Sequence, residues 1–478
     1  MQIGIAAVGG YLPLLRLDRK LAARELAWSG LAMPRSGYRA VAGWDEDPLT
    51  MAVEAARGLV GKPPQALRFA STSAYFTDRA QGALLLEALS LPASVRTTDL
   101  ANCRRAGTSA LLDALLGGRE EVVAAAEKRD TQPGSAAQFA YGDGAAAIRT
   151  GQGVGSGPAA RLVGHASLTS DFVDRYTSRD HPTPYAYEER FVRDTAVEKL
   201  LIPAIMAACA AAGIEPATIA HVACAEPVAN CWKAVAKRLR CAAPNHCETL
   251  ADAAGDLGAA HPLFALGLAL AAAKPGDFVL LVGFGSGVDA LVFEVVAAVP
   301  GASAVAALFT EGELIRDFTR FLNLTGGIAL DWGMRAEFEQ KAQATVLERV
   351  GRDTIGFIGG RDSTGNVQFP KSAIPVNPAI EGPEVLEDVR LADDEATIVS
   401  VTADRLNFSP DPPFDFGLVQ FENSARVLME MVDRPADGFK VGDRVRMRLR
   451  IKSQNARLGF RTYFWKAAPL ARRRLGDA

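Results

Sequence analysis

Cys103 and His261 are the two residues of this chain whose types and settings best suit covalent chemistry. Cys103 lies in DLANCRRAG (99–107), about one turn before the apolar helical stretch TSALLDALLGG (108–118). His261 lies in AGDLGAAHP (254–262), at nearly the same point before PLFALGLALAAA (262–273). A thiol at a helix N-terminus meets the positive end of the helix dipole and unpaired N–H groups, which favour the nucleophilic thiolate. Arg104 and Arg105 add positive charge. An imidazole brought to the same place could act as general base or stabilise an oxyanion. The chemistry expected is nucleophilic, with the Cys103 sulfur as the attacking atom.

The remaining candidates are weaker. The other five cysteines, at 209, 224, 231, 241 and 247, form no C-x-x-C pair and no regular framework, so they read as reduced core thiols of a cytoplasmic protein. His165, His181, His221 and His246 lack metal-ligand spacing, and no metal is expected. His181, in DHPTPYAYEER with Tyr185 and Tyr187, is a candidate substrate contact.

These residues must be held by a large body. The chain has 478 residues, 49% hydrophobic and 22% charged, with a formal charge of −3, which fits an α/β protein of at least two domains. The order of charges at the N-terminus is wrong for a secretory signal, and the most apolar run, near 261–273, reads as a core helix rather than a membrane span. The first 300 residues look duplicated. TSALLDALLGG leads into the strand EVVAAAE (121–127) and then YGDGAAAIRT (141–150); PLFALGLALAAA leads into DFVLLVG (277–283) and then FGSGVDALVFEV (284–295). Both helices are apolar on nearly every face, which requires protein on all sides. Two repeats, about 1–155 and 156–300, are expected to give five layers, α-β-α-β-α.

Several stretches in order resemble the hydroxymethylglutaryl-CoA synthase branch of the thiolase superfamily: YLPLLRL (11–17), WDEDPLTMAVEAAR (44–57), ASTSA (70–74), NCRRAGTSAL (102–111), YGDGAAA (141–147), and DFVDRYTSRD with EERFVRD (171–180, 188–194). The resemblance implies that Cys103 is the acylated cysteine and that a coenzyme A thioester is the substrate, with no tightly bound cofactor. It further implies an oxyanion hole from the backbone N–H of Cys103 and of Gly285 or Ser286, and a homodimer or higher homo-oligomer. Lys233, Lys237 and Arg238, on WKAVAKRLR, become candidates for the coenzyme A phosphates. Ser73 stands where the branch carries a catalytic glutamate, Ala225 where it carries a histidine, and Asp256 where an asparagine follows a glycine. Carbon acylation or thiolytic cleavage of a β-keto, possibly aromatic, substrate therefore fits better than aldol addition; the alternatives are a synthase-like condensation, a lyase or aldolase on the same fold, and a non-catalytic scaffold.

Residues 301–345 read as a linker. FIGGRDSTGNVQFPKSAIPVNP, within 346–380, resembles the zinc ribbon of DUF35 proteins with its cysteines replaced, and 381–478 reads as the β-barrel of an OB-fold. OB-folds often bind single strands, and this segment carries RVRMRLRIK (444–452) and ARRR (471–474). The alternating arginines suit a solvated strand face, or packing on the catalytic domain, and the slightly acidic chain excludes nucleic acid as the expected partner.

Overall fold

In the computed structural model, residues 3–31, 33–34, 36–101, 103–152, 157–331, 351–455 and 459–471 are described. The first half contributes β1 (Gly4–Tyr11), α1 (Pro48–Ala56), β2 (Ala66–Ala70), α2 (Gln81–Ala88), β3 (Arg96–Leu100), α3 (Ala106–Leu116), β4 (Glu121–Glu127) and β5 (Gly144–Gly151). The second half contributes β6 (Ala160–Thr169), α4 (Ile202–Ala212), β7 (Ile219–Cys224), α5 (Cys231–Leu239), α6 (His261–Ala272), β8 (Phe278–Phe284) and β9 (Gly287–Val295). Strand order is β1-β5-β4-β2-β3 in one half and β6-β9-β8-β7 in the other, with the same parallel and antiparallel senses. The counterpart of β3 survives only as a parallel bridge from Asn245 to Val222. The half-sheets meet at one pair, Ile5 with Ala160.

The two helices expected to be surrounded by protein are indeed central. α3 packs on β2 and β4 and touches β8, while α6 packs on β7 and β8 and touches β1 and β5. Every residue of α6 from His261 to Leu270 is buried. α1 covers the outer face of the first half-sheet and α4 that of the second. The helical stretch Glu189–Ala212 is long and apolar enough to cross a membrane, a feature missed in the sequence, but α4 spends its apolar face on β6 and β9.

The supposed linker is folded as far as residue 324. A helix at Ala302–Ala307, a strand at Glu313–Ile315 parallel to Leu15–Leu17, and a helix at Phe318–Leu324 bury Val305, Ile315 and Phe321 against the first half. Residues 332–350, which include the rest of that linker and the start of the ribbon-like segment, lie outside the described residues.

The C-terminal part has a small sheet of β10 (Ile358–Arg361), β11 (Val367–Gln368) and β12 (Glu387–Arg390). A larger sheet follows, with β13 (Glu395–Ile398), β14 (Thr402–Asp404), β15 (Phe414–Phe421), β16 (Arg426–Glu430), β17 (Arg444–Asn455) and β18 (Phe460–Pro469). β13 pairs with β15 and β17, β15 with β16, and β17 with β18. A bridge from Met431 to Ala467 brings the end of β16 onto β18, so the sheet curls back on itself.

β17 does not present a solvated face. Arg448 and Arg450 are buried against the first half, which corrects the solvated-face reading for these two arginines. Arg448 pairs with Glu54 at 3.0 Å, Arg450 with Glu46 at 3.1 Å, and Lys466 with Asp45 at 2.8 Å. The Tyr463 hydroxyl donates to Asp47 at 2.8 Å. The acids of WDED thus face the bases of β17 and β18. Removing one partner of a buried pair leaves an uncompensated charge, which costs roughly 3–5 kcal/mol. Arg450→Ala is expected to lower the urea midpoint accordingly, whereas Arg444→Ala, whose side chain is 55% exposed, should change it little. Urea titrations of the two variants check this.

Candidate active site

Cys103 sits just ahead of α3, its carbonyl accepting from Ala106 N–H at 2.9 Å. It is half-buried, and its thiol donates to the Gly285 carbonyl at 2.9 Å. A Cβ on Gly285 would lie 2.8 Å from Cys103 Sγ, and the φ of +156° there also favours glycine. The glycine therefore lets the β8–β9 turn of the second half close over the sulfur of the first. Gly107 does the same for the helix start, since a Cβ there would lie 2.3 Å from the Ala259 carbonyl.

Other expectations are corrected by the side chains. Gly285 N–H already donates to the Gly287 carbonyl at 3.0 Å, so of the two loop residues Ser286 is left as the oxyanion candidate. Arg104 and Arg105 are paired, with Asp174 and with Asp289 (3.2 Å) respectively, which offsets the charge they bring to the thiol.

His261 is not a base facing Cys103. Its Nδ1 accepts from Leu257 N–H at 3.1 Å, which leaves the proton on Nε2 to donate to the Cys247 carbonyl at 3.1 Å. Burial pulls its pKa below the ordinary imidazole range. Both nitrogens are spent on backbone, so the ring is a neutral strut under α6.

Asp256 is likewise committed. It accepts from Arg175 at 2.8 Å and from Gly258 N–H at 2.8 Å, and lies 3.5 Å from Arg129. Burial opposes its charge, but the guanidiniums of Arg129, Arg175 and Arg104 outweigh it and hold the carboxyl well below its usual range. It is a fixed carboxylate rather than a proton carrier.

Ser73, in the glutamate's place, donates its hydroxyl to Glu127, a fully buried carboxylate at the end of β4. Glu127 also accepts from Thr72 N–H (3.0 Å), Thr72 Oγ1 (2.9 Å) and Ala259 N–H (3.2 Å). It ties the loop after β2 to the backbone ahead of α6, a contact 54 residues from Ser73 in sequence and invisible there. His181 is exposed in a turn with Ser178. Tyr185 and Tyr187 are exposed, Tyr185 packing on Tyr176. Lys233, Lys237 and Arg238 line the exposed face of α5, and Arg238 pairs with Glu198 at 2.9 Å.

Sequence reading also missed Glu226. It follows Ala225 in the loop after β7, the counterpart of the Ser71–Ser73 loop after β2, and both loops lie at the carboxyl ends of parallel strands, where ligands bind in α/β sheets. Burial, reinforced by Glu248 and only partly opposed by the Trp232 N–H at 2.8 Å, pushes its pKa up to about 7. A carboxyl that holds its proton near neutral pH thus stands directly after Ala225.

A cavity of about 610 Å³ opens between the catalytic half and the C-terminal sheet, lined in part by Trp44, Glu46, Arg320, Asp411 and Asp433. Lys128, next to Glu127, donates to the carbonyls of Gly43 (2.8 Å) and Glu46 (2.9 Å) and so joins this cavity's wall to the Ser73 loop. Among the described residues, no group of three His, Cys, Asp or Glu is arranged to hold a metal ion.

Comparison with known proteins agrees with this architecture. Residues 209–295 match the family described as 3-oxoacyl-[acyl-carrier-protein] synthase III C terminal. The hydroxymethylglutaryl-CoA synthase of Thermococcus gammatolerans is 29% identical over 307 residues, covering 62% of this chain and 86% of that enzyme. Among solved structures, a hydroxymethylglutaryl-CoA synthase complexed with CoA superposes with a TM-score of 0.58 at 15% identity, over 72% of this chain and 95% of that one. The 3-oxoacyl-(acyl carrier protein) synthase III of Pseudomonas aeruginosa PAO1 gives 0.51 at 18% identity, over 63% and 99%. The fold is that of the thiolase superfamily.

Because Glu226 keeps its proton in the folded chain up to about pH 7 against an ordinary 4.5, its contribution to stability is full below pH 4.5 and is lost as pH rises through 7. Thermal melts from pH 5 to 8 should show wild type losing stability relative to Glu226→Gln, by an amount on the order of 3 kcal/mol at most.

Proposed function

For a thiolase-superfamily transferase with hydroxymethylglutaryl-CoA synthases among its relatives, we propose acyl-CoA-dependent condensation through an acyl-thioester on Cys103. The observation that carries this reading is the Cys103 thiol at the start of α3, held against the Gly285 turn of the opposite half. The thiol loses its proton, the thiolate attacks the thioester carbonyl, and the bond to the coenzyme A sulfur breaks. Coenzyme A leaves as the thiol when a proton reaches its sulfur. The N–H groups of Cys103 and Ser286 are the donors we assign to the oxyanion; such donors are typically worth about 3–4 kcal/mol of barrier. Glu226 is the group we assign to proton transfer with the carbon acceptor, in place of the absent histidine.

A second reading has its own support. With Ser73 bound to Glu127 and Ala225 carrying no proton, the acid–base pair of the synthases is replaced, which favours simple C-acylation or its reverse, thiolytic cleavage of a β-keto substrate. An aromatic substrate belongs to that reading. We further read the curled C-terminal sheet as an OB barrel that borders the acceptor site, and the chain as a homodimer.

Intact mass after brief incubation with acetyl- to aromatic acyl-CoA thioesters tests the first step. One acyl group per chain is expected on wild type and none on Cys103→Ala; no adduct from any thioester would sink the acyl-enzyme. Glu226→Gln should acylate normally yet lose roughly 10²-fold or more in turnover with a carbon acceptor.

A further inference from the structure

Beside Cys103 lies a cluster of charge drawn from five segments of the chain and centred on Tyr141. The Arg129 guanidinium lies 3.6 Å over the Tyr141 ring and that of Arg175 4.9 Å from it. Arg175 binds Asp256, Arg129 shares the same carboxylate at 3.5 Å and also donates to the Asp256 carbonyl, and Arg104 binds Asp174. Three guanidiniums thus face two carboxylates. The imidazole near Asp256, His261, is neutral by its hydrogen bonds and offers no negative charge.

Arg129 is therefore left without a carboxylate of its own in a buried place. The Arg129 side chain is only 9% exposed, and its Nε has no hydrogen-bond partner among the described residues. A buried, partly unsatisfied guanidinium is costly unless an anion completes it. The Asp256 side chain is 25% exposed, so the cluster is open to an entering group. Arg104 directly follows Cys103, which puts the cluster within about one arginine side chain of the nucleophile.

We propose that this cluster binds a carboxylate on the substrate, so that Cys103 handles acyl groups ending in a carboxylate, of the succinyl or glutaryl class, rather than simple fatty acyl groups. Guanidiniums recognise carboxylates by paired N–H donors, and three from different segments fix both position and direction. This rests on the acyl-enzyme reading of Cys103. The same chemistry would hold a phosphate of coenzyme A, and the test separates the two.

Binding of succinyl and butyryl thioesters, each on coenzyme A and on pantetheine, is measured by calorimetry with full-length Cys103→Ala, which cannot be acylated there. Succinyl should bind about ten-fold or more tightly than butyryl on both carriers, with the preference abolished by adding Arg129→Met and reduced by adding Arg129→Lys. Circular dichroism confirms folding, and Arg129→Lys serves if the methionine variant does not fold. Equal binding of the two acyl groups, or binding of neither, overturns the proposal. So does an Arg129 variant that weakens both coenzyme A thioesters alike and spares the pantetheine ones, which assigns the cluster to phosphate. Failure of the acyl-enzyme reading shows separately, as no adduct on wild type from any of the four thioesters.

Discussion

Everything at the site depends on two helices with almost no face for water. α6 is apolar all round and α3 nearly so, with only Asp113 and Leu116 exposed, so each must be covered by a sheet on one side and by the other half of the chain on the other. Satisfying both at once sandwiches them between the half-sheets. The end of α3 carries Cys103, and the contact of Gly107 with the Ala259 carbonyl sets how near the two helix starts can come. Cys103 is placed by burial of leucine and alanine some way from it, not by its own contacts.

The second constraint is electrostatic and joins the C-terminal sheet to the catalytic half. Asp45, Glu46, Asp47 and Glu54 come from a single segment, the approach to α1 and α1 itself, and face Lys466, Arg450, Arg461 and Arg448. Buried ion pairs give little net stability over an apolar contact but penalise wrong partners strongly. The apolar core around Trp465, whose indole N–H donates to the Ile355 carbonyl at 2.6 Å, supplies the area, and the charges set the register. Because α1 also packs on β4, which ends in Glu127, the same segment is shared by the domain contact and the wall of the site.

The duplication was legible because full apolarity is a property of composition, and a repeated order of helix, strand, glycine turn and strand needs no three-dimensional information. The role of His261 was not. Its position in the repeat was read correctly, but the direction of the ring depends on Leu257 N–H and the Cys247 carbonyl, which no spacing reveals. Arg448 and Arg450 failed as solvated residues for a related reason: alternation along a strand says that a face is charged, not whether water or a set of acids lies opposite. The acids of WDED were in view, just over 400 residues upstream. Arg129, Arg175 and Glu127 carry no local pattern, and only the fold brings them to Cys103 and Ser73.

A duplicated fold offers two equivalent helix starts, and the two have been used in opposite ways. The thiol of the first is half-exposed and held by a weak sulfur hydrogen bond, a state easily left when a substrate arrives. The imidazole of the second is buried with both nitrogens occupied, and moving it would leave the Leu257 N–H and Cys247 carbonyl unpaired inside the protein, at about 1–3 kcal/mol for each. Reactivity has been kept where a group can be freed cheaply and given up where it cannot. Outside the helix start, the loop after β7 holds Glu226, whose burial beside Glu248 keeps its proton near neutral pH. The thiol belongs to the first half alone, whereas the charge cluster is shared, with Arg104 and Arg129 from the first half and Asp174, Arg175 and Asp256 from the second.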